Sequence, residues 1–595
     1  MNAVAALLYA VCSSVLVALV LAIGQGGLSS FSAGAALGVG ALVAACSLWR
    51  RRQGNATDAP PSIWEWGAVG IFALASARAF LWLVFVDGDA IKVLSPNNLG
   101  DLSLHLTYIN YLASGVPFWP ENPIFAHGQL TYPVGVDLFN ALLVLAGVDP
   151  LRGLIWVGLG GATLTGLALW RWGRGVAIAA FVANGGVAGF AFFGTGQFID
   201  FQADFGWKSL FLAIFVTQRG LLFALPAGLL LLTSWRARYF GVGEKSAQLP
   251  RWGELLLYAA MPVFHLHTFI FLSLLLGSWF VLHAPARREL FRFVGFAALP
   301  ATLLVLLVTG NLQGASVLGF KPGWMWDDPA WLKWCESYLP GPAKFNAALL
   351  FWPVNFGCAL PLVLGLGTRL AQDQRAVWPR AIFFPSLFIF LLCCFVKFAP
   401  WEWDNTKIML WSWLAIVPLG WQELLQSRPL WQRALAAFLL FWSGFASLIG
   451  GLNGKHTGYE IARRSELDGV VKAVAALPLD ARFVAYPTYN HPLLLAGRKV
   501  ALGYPGHAWS HGLDWQGPAA QVEALMNGEE DWDAFATDLG VEYLFWGAAE
   551  AEHYKASKQP WKDSRAHVAS GTWGDIYYLL SPAASEQAVP GDPPP

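Results

Sequence analysis

The sequence predicts a polytopic α-helical membrane protein of about 11–13 spans, followed by a C-terminal extracytoplasmic α/β domain. Of the 595 residues, 56% are hydrophobic and only 13% are charged, whereas an average soluble protein carries about 25% charged residues. Apolar stretches of roughly 20 residues, the length of helix that crosses a bilayer, recur as far as residue 452. Beyond Gly454 the composition becomes polar, and a helical stretch precedes short apolar runs that are typical of strands.

The candidate spans follow one another along the first three quarters of the chain. No basic segment precedes the first one, so we predict a retained span rather than a cleaved signal peptide. The spans are predicted at residues 4–24, 33–49, 64–86, 151–170, 175–195, 209–234, 291–309, 345–369, 379–397, 408–426 and 430–452.

Lysine and arginine in short loops predict the orientation, because such loops stay on the cytoplasmic side. They place the N-terminus in the cytoplasm and the C-terminal domain outside it. Residues 132–148 then cannot cross the membrane, and we expect a re-entrant or surface-lying helix on the outer side. Residues 254–284 must leave the cytoplasm and return, with 264–267 at the outer turn and one helix short or broken. The basic groups are 50–52, Arg171 with Arg174, Arg236 with Arg238, Arg287 with Arg288, 369–380, and Arg428 with Arg433.

The domain organisation follows from these patterns. Residues 1–452 are predicted to form the transmembrane domain, 453–582 the extracytoplasmic α/β domain, and 583–595 a Pro-rich disordered tail. The protein is expected in a bacterial inner or plasma membrane, surrounded by lipid. The net charge is zero without a long basic or acidic block, so no nucleic acid partner is expected. The six cysteines have neither a disulfide-framework nor a zinc-site spacing.

The C-terminal domain is predicted to contain one helix at 466–477 and four strands. Two of its segments, 486–491 and 503–511, carry Gly, His, Tyr and aromatic residues at predicted strand ends. Such positions suit a surface that recognises a substrate, such as the acceptor of a transferred group. The alternative is that these residues only shape ordinary loops. The strands are predicted at 482–486, 499–502, 542–546 and 575–579.

The first outer loop, 87–131, contains the most informative polar residues. A helix is predicted from Asp101 to about Ser114, and Asp101, His105 and Tyr108 share one face of it at i, i+4 and i+7. That face borders the membrane, where partial loss of hydration raises the pKa of a carboxylate toward that of a general base. The alternative is that Asp101 only stabilises the helix N-terminus through the helix dipole.

Gln218 and Arg219 interrupt an otherwise apolar stretch. An arginine at membrane depth is costly unless it is paired, and it marks a functional site by default. A phosphate would pair with it through two parallel hydrogen bonds. A structural partner such as Asp204, or extension of the side chain to the interface, is the alternative.

A second polar group, 401–407, precedes a late span. Lys407 suits a phosphate, while Asp404 and Glu402 suit hydroxyl groups or a cation. Trp401 and Trp403 would stack on a ring of the ligand, or anchor the chain at the membrane interface.

His265 and His267 form a His-x-His pair at the predicted outer turn. Together with Asp101 and His105 they would make a metal site if the loops converged. We assign no metal to these residues, and a divalent cation is left open. No other cofactor is assigned.

Two short motifs resemble those of the GT-C superfamily of membrane glycosyltransferases. They are Gly-Asp-Leu-Ser-Leu-His at 100–105 and Gly-Gln-Leu-Thr-Tyr-Pro-Val-Gly at 128–135. The Gln218–Arg219 pair, the 403–407 segment and the polar C-terminal domain support the resemblance, which covers the architecture of most of the chain. Here the motif-bearing loop follows the third predicted span rather than the first, which two additional N-terminal spans would explain.

The resemblance implies an inverting transfer of a sugar from a polyprenyl-phosphate carrier to a glycan, lipid or protein acceptor on the outer face. Asp101 would act as the catalytic base with His105 beside it, and Arg219 and Lys407 would bind the donor phosphate. A transporter or flippase for a lipid-linked sugar is one alternative, although the internal repeats typical of transporters are not found. A polysaccharide ligase or polymerase is another. The remaining substrate-binding candidates are Tyr132, Gln218, His265, His267, Glu402 and Asp404.

Overall fold

The computed structural model describes residues 2–49, 60–312, 318–453 and 457–580. The basic group 50–52 and the predicted disordered tail 583–595 lie outside these ranges. Before residue 453 the described chain is mostly helical, and after it short helices alternate with strands.

The helices of the membrane domain vary widely in length. They are α1 (Asn2–Gln25), α2 (Ser30–Trp49), α3 (Ile63–Leu81), α4 (Leu99–Ala113), α5 (Gly135–Leu145), α6 (Pro150–Val182), α7 (Phe192–Thr195), α8 (Leu221–Tyr239), α9 (Arg251–Ala259), α10 (Met261–Phe264), α11 (Leu266–Leu282), α12 (Arg287–Val308), α13 (Pro329–Tyr338), α14 (Ala343–Phe356), α15 (Ala359–Gln372), α16 (Val377–Cys393), α17 (Thr406–Gly420) and α18 (Leu430–Gly451).

The C-terminal domain contains shorter helices, and the strands are distributed over the whole chain. The helices are α19 (Arg464–Val474), α20 (Pro492–Leu495), α21 (Pro505–Ser510), α22 (Gln516–Asn527), α23 (Trp532–Asp538), α24 (Ala548–His553) and α25 (Trp561–Ser564). The strands are β1 (Phe85–Asp87), β2 (Ala90–Val93), β3 (Gly319–Phe320), β4 (Val396–Lys397), β5 (Tyr459–Arg463), β6 (Arg482–Val484), β7 (Lys499–Val500), β8 (Tyr543–Trp546), β9 (Ala566–Gly571) and β10 (Gly574–Tyr578).

Several helices in the described ranges are long and apolar enough to cross a membrane. The chain is therefore an integral membrane protein of the predicted polytopic helical class. α14 and α15, bent by 85° at their junction, would together add one broken span to the six helices that are long enough individually. The predicted count of about 11–13 also includes segments with shorter or interrupted helices, so the count stays a prediction. The six are Asn2–Gln25, Ser30–Trp49, Pro150–Val182, Ala284–Val308, Glu402–Leu425 and Leu430–Gly451.

Two segments that the sequence predicts not to form ordinary membrane-spanning helices contain short or broken helices. In 132–148 the structure has only α5, whose 11 residues extend about 16 Å, half of the hydrocarbon thickness. In 254–284 the helix breaks at His265, between α10 and α11. Within the predicted span 209–234, a π-helical turn over Leu210–Phe215 is followed by a break at 216–220, and α8 begins only at Leu221.

α6 is interrupted where the sequence places a basic loop. Gly173 and Arg174 have non-helical backbone angles, and Arg174 has a φ of 54°. The Nε of Arg174 lies 2.6 Å from a carboxylate oxygen of Glu65 on α3, so an ion pair stabilises the interruption. The helical path predicted from 175 to 195 ends at Val182.

The C-terminal domain is built on a five-stranded mixed sheet with the order β7-β6-β8-β10-β9. β6 is parallel to β7 and β8, whereas β10 is antiparallel to β8 and β9. The predicted strands correspond to β6, β7, β8 and β10, and the predicted helix corresponds to α19. Sequence periodicity did not reveal β5 or β9.

The first outer loop packs against this sheet and continues its edge. The backbone N–H of Val500 donates to Pro123, and that of Ala126 donates to Ala501, both at 2.9 Å. These bonds cover the free edge of β7, which would otherwise leave backbone groups unpaired. The β1–β2 hairpin of the same loop pairs with β5, so 87–131 connects the membrane domain to the C-terminal domain.

Candidate functional site

Asp101 lies in the first turn of α4, directly beneath the C-terminal domain. Its carboxylate accepts a hydrogen bond from the Nε2 of Gln218 at 3.4 Å. Burial raises the pKa of Asp101, and the positive fields of His105 and Lys407 oppose the shift. A partly buried carboxylate of this kind is a stronger base than a solvated one.

His105, one turn further along α4, is held by a buried carboxylate. Its Nδ1 lies 2.9 Å and 3.0 Å from the two carboxylate oxygens of Asp137 on α5. Both side chains are almost fully buried. With Nδ1 occupied in this way, Nε2 is the ring nitrogen of His105 that is left for a further hydrogen bond.

Arg219 lies within the field of Asp137, the carboxylate that also holds His105. Its Nη2 donates to the carbonyl of Leu154 at 2.7 Å, and Asp137 is the charge that acts on it. The partner suggested as an alternative from the sequence, Asp204, is therefore not the group that contacts Arg219. Within the described residues, its Nε and Nη1 are buried without a hydrogen-bond partner.

Two helix breaks meet beside these residues and bring distant segments together. A Cβ at Gly220, in the break before α8, would lie 2.1 Å from the carbonyl oxygen of Phe264, in the break before α11. A Cβ at Gly135, at the start of α5, would lie 2.7 Å from the ring of Phe264. Because only glycine permits these approaches, the two glycines allow Gln218 and His265 to face the same region.

Lys407 lies in the first turn of α17, in which every residue is buried. Its Nζ lies 2.9 Å from the carboxylate of Asp404, and both side chains have little exposure. The fields of Lys407 and Asp404 both act on Asp101, so this pair lies near the α4 carboxylate. No hydrogen bond or ion pair among the described residues links Lys407 with Arg219, and their convergence on one anion stays a prediction.

His265 and His267 lie between the break and α17. The Nδ1 of His265 bonds the hydroxyl of Thr268 at 2.8 Å, and that hydroxyl accepts from the indole of Trp411 at 3.0 Å. The Nε2 atoms of both histidines are buried without a partner in the described ranges. The ring of His265 is thus fixed by Thr268, and each histidine keeps one buried nitrogen without a partner among these residues.

The C-terminal end of α21 covers the site. A Cβ at Gly100 would lie 3.1 Å from the Nε2 of His507, which places that histidine against the start of α4. The ring of His511 lies 5.0 Å from that of Tyr132, and Tyr132 contacts both His105 and Tyr108. Burial lowers the pKa of His507 to about 4 and that of His511 to about 3, so both stay neutral at pH 7.

Glu402 lies at the edge of this arrangement. It forms an ion pair with Lys321, which belongs to the loop that contains β3. The neighbouring strands β3 and β4 pair with each other and hold this loop against the 397–407 turn. Glu402 is therefore paired with this loop, whereas Asp404, on the same short 3-10 turn, is paired with Lys407.

In the part of the chain that the structure describes, no three His, Cys, Asp or Glu side chains lie close enough together to hold a metal ion. His265, His267, Asp101 and His105 thus share a region without forming a coordination shell.

Sequence reasoning missed Asp137 and did not assign a role to His507 or His511. Asp137 follows the 128–135 motif by two residues and is an acid within an apolar stretch, a signal that could have identified it. The 503–511 segment was singled out, and it does contact α4. In the 486–491 segment, His491 instead bonds the buried carboxylate of Glu550 at 3.0 Å and caps α20, which is a structural role.

Comparisons with known proteins gave structural neighbours only: no protein-family model and no curated protein matches the sequence. The similar solved structures include three of the oligosaccharyltransferase of Archaeoglobus fulgidus. Its complex with an inhibitory peptide and a dolichol-phosphate, there named AglB, aligns at 10% identity and a TM-score of 0.46, covering 89% of this chain and 75% of that one. The apo form aligns at 10% identity and a TM-score of 0.38, covering 90% and 75%. The complex with Zn and sulfate aligns at 11% identity and a TM-score of 0.44, covering 86% and 73%.

At such identities and TM-scores, the similarity assigns no activity and no residue role to this chain. Its function must be inferred from its own site.

Proposed function

We propose that this protein is a membrane glycosyltransferase that moves a sugar from a polyprenyl-phosphate carrier to an acceptor on the extracytoplasmic face. The observation that carries the proposal is the placement of Asp101. Its carboxylate has a raised pKa, accepts a hydrogen bond from Gln218, and lies near a buried lysine at the junction of the two domains. A base next to a cation is what a displacement with a phosphate leaving group requires.

The reaction is an inverting displacement at the anomeric carbon. Asp101 takes the proton of the acceptor nucleophile as the new bond to the anomeric carbon forms, and the bond to the phosphate oxygen breaks with its electron pair on that oxygen. Lys407 lies near Asp101 and stabilises the charge that develops on the leaving phosphate. Arg219, whose Nε and Nη1 have no hydrogen-bond partner among the described residues, stabilises the same phosphate.

The remaining polar side chains bind and orient the substrates. Asp404 accepts hydrogen bonds from sugar hydroxyls while it fixes Lys407. Gln218 orients the carboxylate of Asp101. His105, oriented by Asp137, presents its Nε2 to the site. Tyr132 and the two histidines of α11 complete the lining, and no step is routed through a metal ion.

The test is transfer by the purified protein in lipid nanodiscs, supplied with a panel of undecaprenyl-phosphate sugars and with and without EDTA. Release of undecaprenyl phosphate by the wild type and not by Asp101→Asn supports the proposal. The transporter alternative is tested in proteoliposomes, where transbilayer movement of the carrier-linked sugar without phosphate release would overturn it. Loss of release on adding EDTA would show that a divalent cation takes part.

A further inference from the structure

Three tryptophans meet at the junction between the membrane domain and the C-terminal domain. Trp401 and Trp403 flank Glu402 before α17, and their ring centroids are 5.1 Å apart. Trp509, on α21, lies 6.2 Å from Trp401. The exposed fractions of Trp401 and Trp509 are 40% and 46%, so two large apolar surfaces face an open space at the domain junction.

The ring of Trp403 and the turn that carries Trp401 are held in place by the surrounding structure. The indole N–H of Trp403 donates to the carbonyl of Gly206 at 3.1 Å, and the ammonium of Lys208 lies 5.6 Å from its ring centroid. Asn405 fixes the turn by donating to the carbonyls of Cys393 and Val396. Pre-positioned aromatic rings lose little conformational entropy when a ligand binds.

Charged groups border the three rings. Asp404 and Glu402 lie on the same short turn as Trp401 and Trp403, and Glu402 is paired with Lys321 from the loop after β3. Aromatic faces bind the C–H faces of a sugar ring, and carboxylates accept hydrogen bonds from its hydroxyls. This combination is typical of a carbohydrate site, whereas a hydrocarbon chain would form no hydrogen bonds with these charged groups.

We propose that Trp401, Trp403 and Trp509 form a platform that binds a pyranose ring at the domain junction. The proposal rests on the proposed function, because the sugar belongs either to the carrier-linked donor or to an acceptor glycan. Anchoring at the membrane interface would explain a tryptophan in a span-connecting turn. It does not explain Trp509, which belongs to a domain after the last span and contacts Trp401. The platform is therefore shared by both domains.

The first test is saturation-transfer NMR of the full chain in nanodiscs, with the methyl glycosides of glucose, galactose, mannose and N-acetylglucosamine. At least one glycoside should bind, and Trp401→Ala or Trp509→Ala should weaken its Kd by about three- to tenfold. Trp401→Phe should retain most of the affinity. Trp431→Ala is the matched control, since Trp431 is 66% exposed on α18. The proposal is overturned if no glycoside binds, or if the alanine variants bind like the wild type.

A competition experiment distinguishes the two sources of the sugar. If the platform binds the donor, an undecaprenyl-phosphate sugar displaces the glycoside and undecaprenyl phosphate alone does not. If it binds the acceptor, neither displaces it, and the acceptor KM rises in the tryptophan variants. Weaker insertion into nanodiscs with unchanged glycoside affinity would mean membrane anchoring, which also overturns the platform. Glycoside binding without carrier phosphate release in the wild type would refute the proposed function and leave the platform standing.

Discussion

The Nδ1 of His105 lies 2.9 Å from a carboxylate oxygen of Asp137, and the two side chains belong to different helices, α4 and α5. Because both groups are buried, this hydrogen bond is strong. It stabilises the packing of α4 against α5, and it determines which imidazole nitrogen remains free. A charged residue in an apolar helix therefore positions a histidine at the site.

Asp137→Asn is expected to lower turnover by at least about tenfold with little change in donor KM, because the amide holds the imidazole in one orientation less firmly. Loss of the buried charged hydrogen bond should also cost about 1–3 kcal/mol of stability. Steady-state kinetics and thermal unfolding check both effects. Asp149→Asn is the control, since Asp149 is an exposed N-cap of α6. Wild-type kcat in Asp137→Asn would contradict the positioning role.

Asp101→Asn should lower the transfer rate by a factor of about 10²–10⁴ without destabilising the protein. Burial raises the pKa of Asp101, so its ionised form is disfavoured in the folded state. A raised folded-state pKa means that stability is lost as pH rises through it, and a neutral Asn avoids this loss. We therefore expect an unchanged or higher Tm, and a wild-type rate that falls as pH drops through the raised pKa. A variant that transfers sugar at near the wild-type rate would refute Asp101 as the base.

Truncation of Arg219 or Lys407 should weaken donor binding by about 1.5–3 kcal/mol, the usual contribution of a hydrogen bond to a charged group, and leave acceptor binding nearly unchanged. Arg219→Gln and Lys407→Met would be compared by titration with undecaprenyl phosphate. Lys92→Met is the control, because Lys92 lies in the first outer loop and already pairs with Asp87 at 2.6 Å. A double variant whose loss equals the sum of the single losses would argue against one shared phosphate.

Glu121→Gln should loosen the docking of the first outer loop on the C-terminal domain. Although burial opposes it, hydrogen bonds from Arg482 and Lys499 lower the pKa of Glu121 to about 2. A depressed folded-state pKa means that this stabilisation is present above pH 4.5 and is lost as pH falls toward 2. Because Glu121 is partly solvated, we expect an effect of about 1 kcal/mol.

Hydrogen exchange of the backbone amides at 123–126 measures this docking. The exchange should be faster in Glu121→Gln at pH 7, and the wild type should approach the variant near pH 3. Glu529→Gln, on the exposed surface of the same domain, should exchange at 123–126 like the wild type. Equal protection in Glu121→Gln and the wild type at pH 7 would show that the ion pairs do not hold the loop.

The C-terminal domain is expected outside the cytoplasm. All the basic loops lie on the cytoplasmic side only if the N-terminus is cytoplasmic and the number of spans is odd. An alkaline phosphatase fused after residue 580 should be active, and a green fluorescent protein at the same place should be dark. A fusion within 373–376, between α15 and α16, should give the reverse pattern. An inactive C-terminal phosphatase fusion would overturn the orientation and the extracytoplasmic site.

Local patterns in the sequence were sufficient to predict most individual elements. The helix expected from Asp101 is α4, the break expected near 264–267 is at His265, and the four strands expected after residue 480 are present. Each depends on spacing or composition within about ten residues, where side-chain periodicity directly reflects backbone geometry. The class of the protein likewise follows from composition, because only long apolar helices satisfy their backbone groups inside a bilayer.

The composition of the site was decided by tertiary structure. His105 and Asp137 are 32 residues apart, Gln218 and Asp101 are 117 apart, and Trp509 reaches Trp401 from another domain. No periodicity records these pairs, because they depend on how broken helices pack and on which loop covers the edge of β7. The sequence by itself determined which residues are polar within apolar segments, and the fold decided which of them face one another, since burial and close packing select partners that lie far apart along the chain.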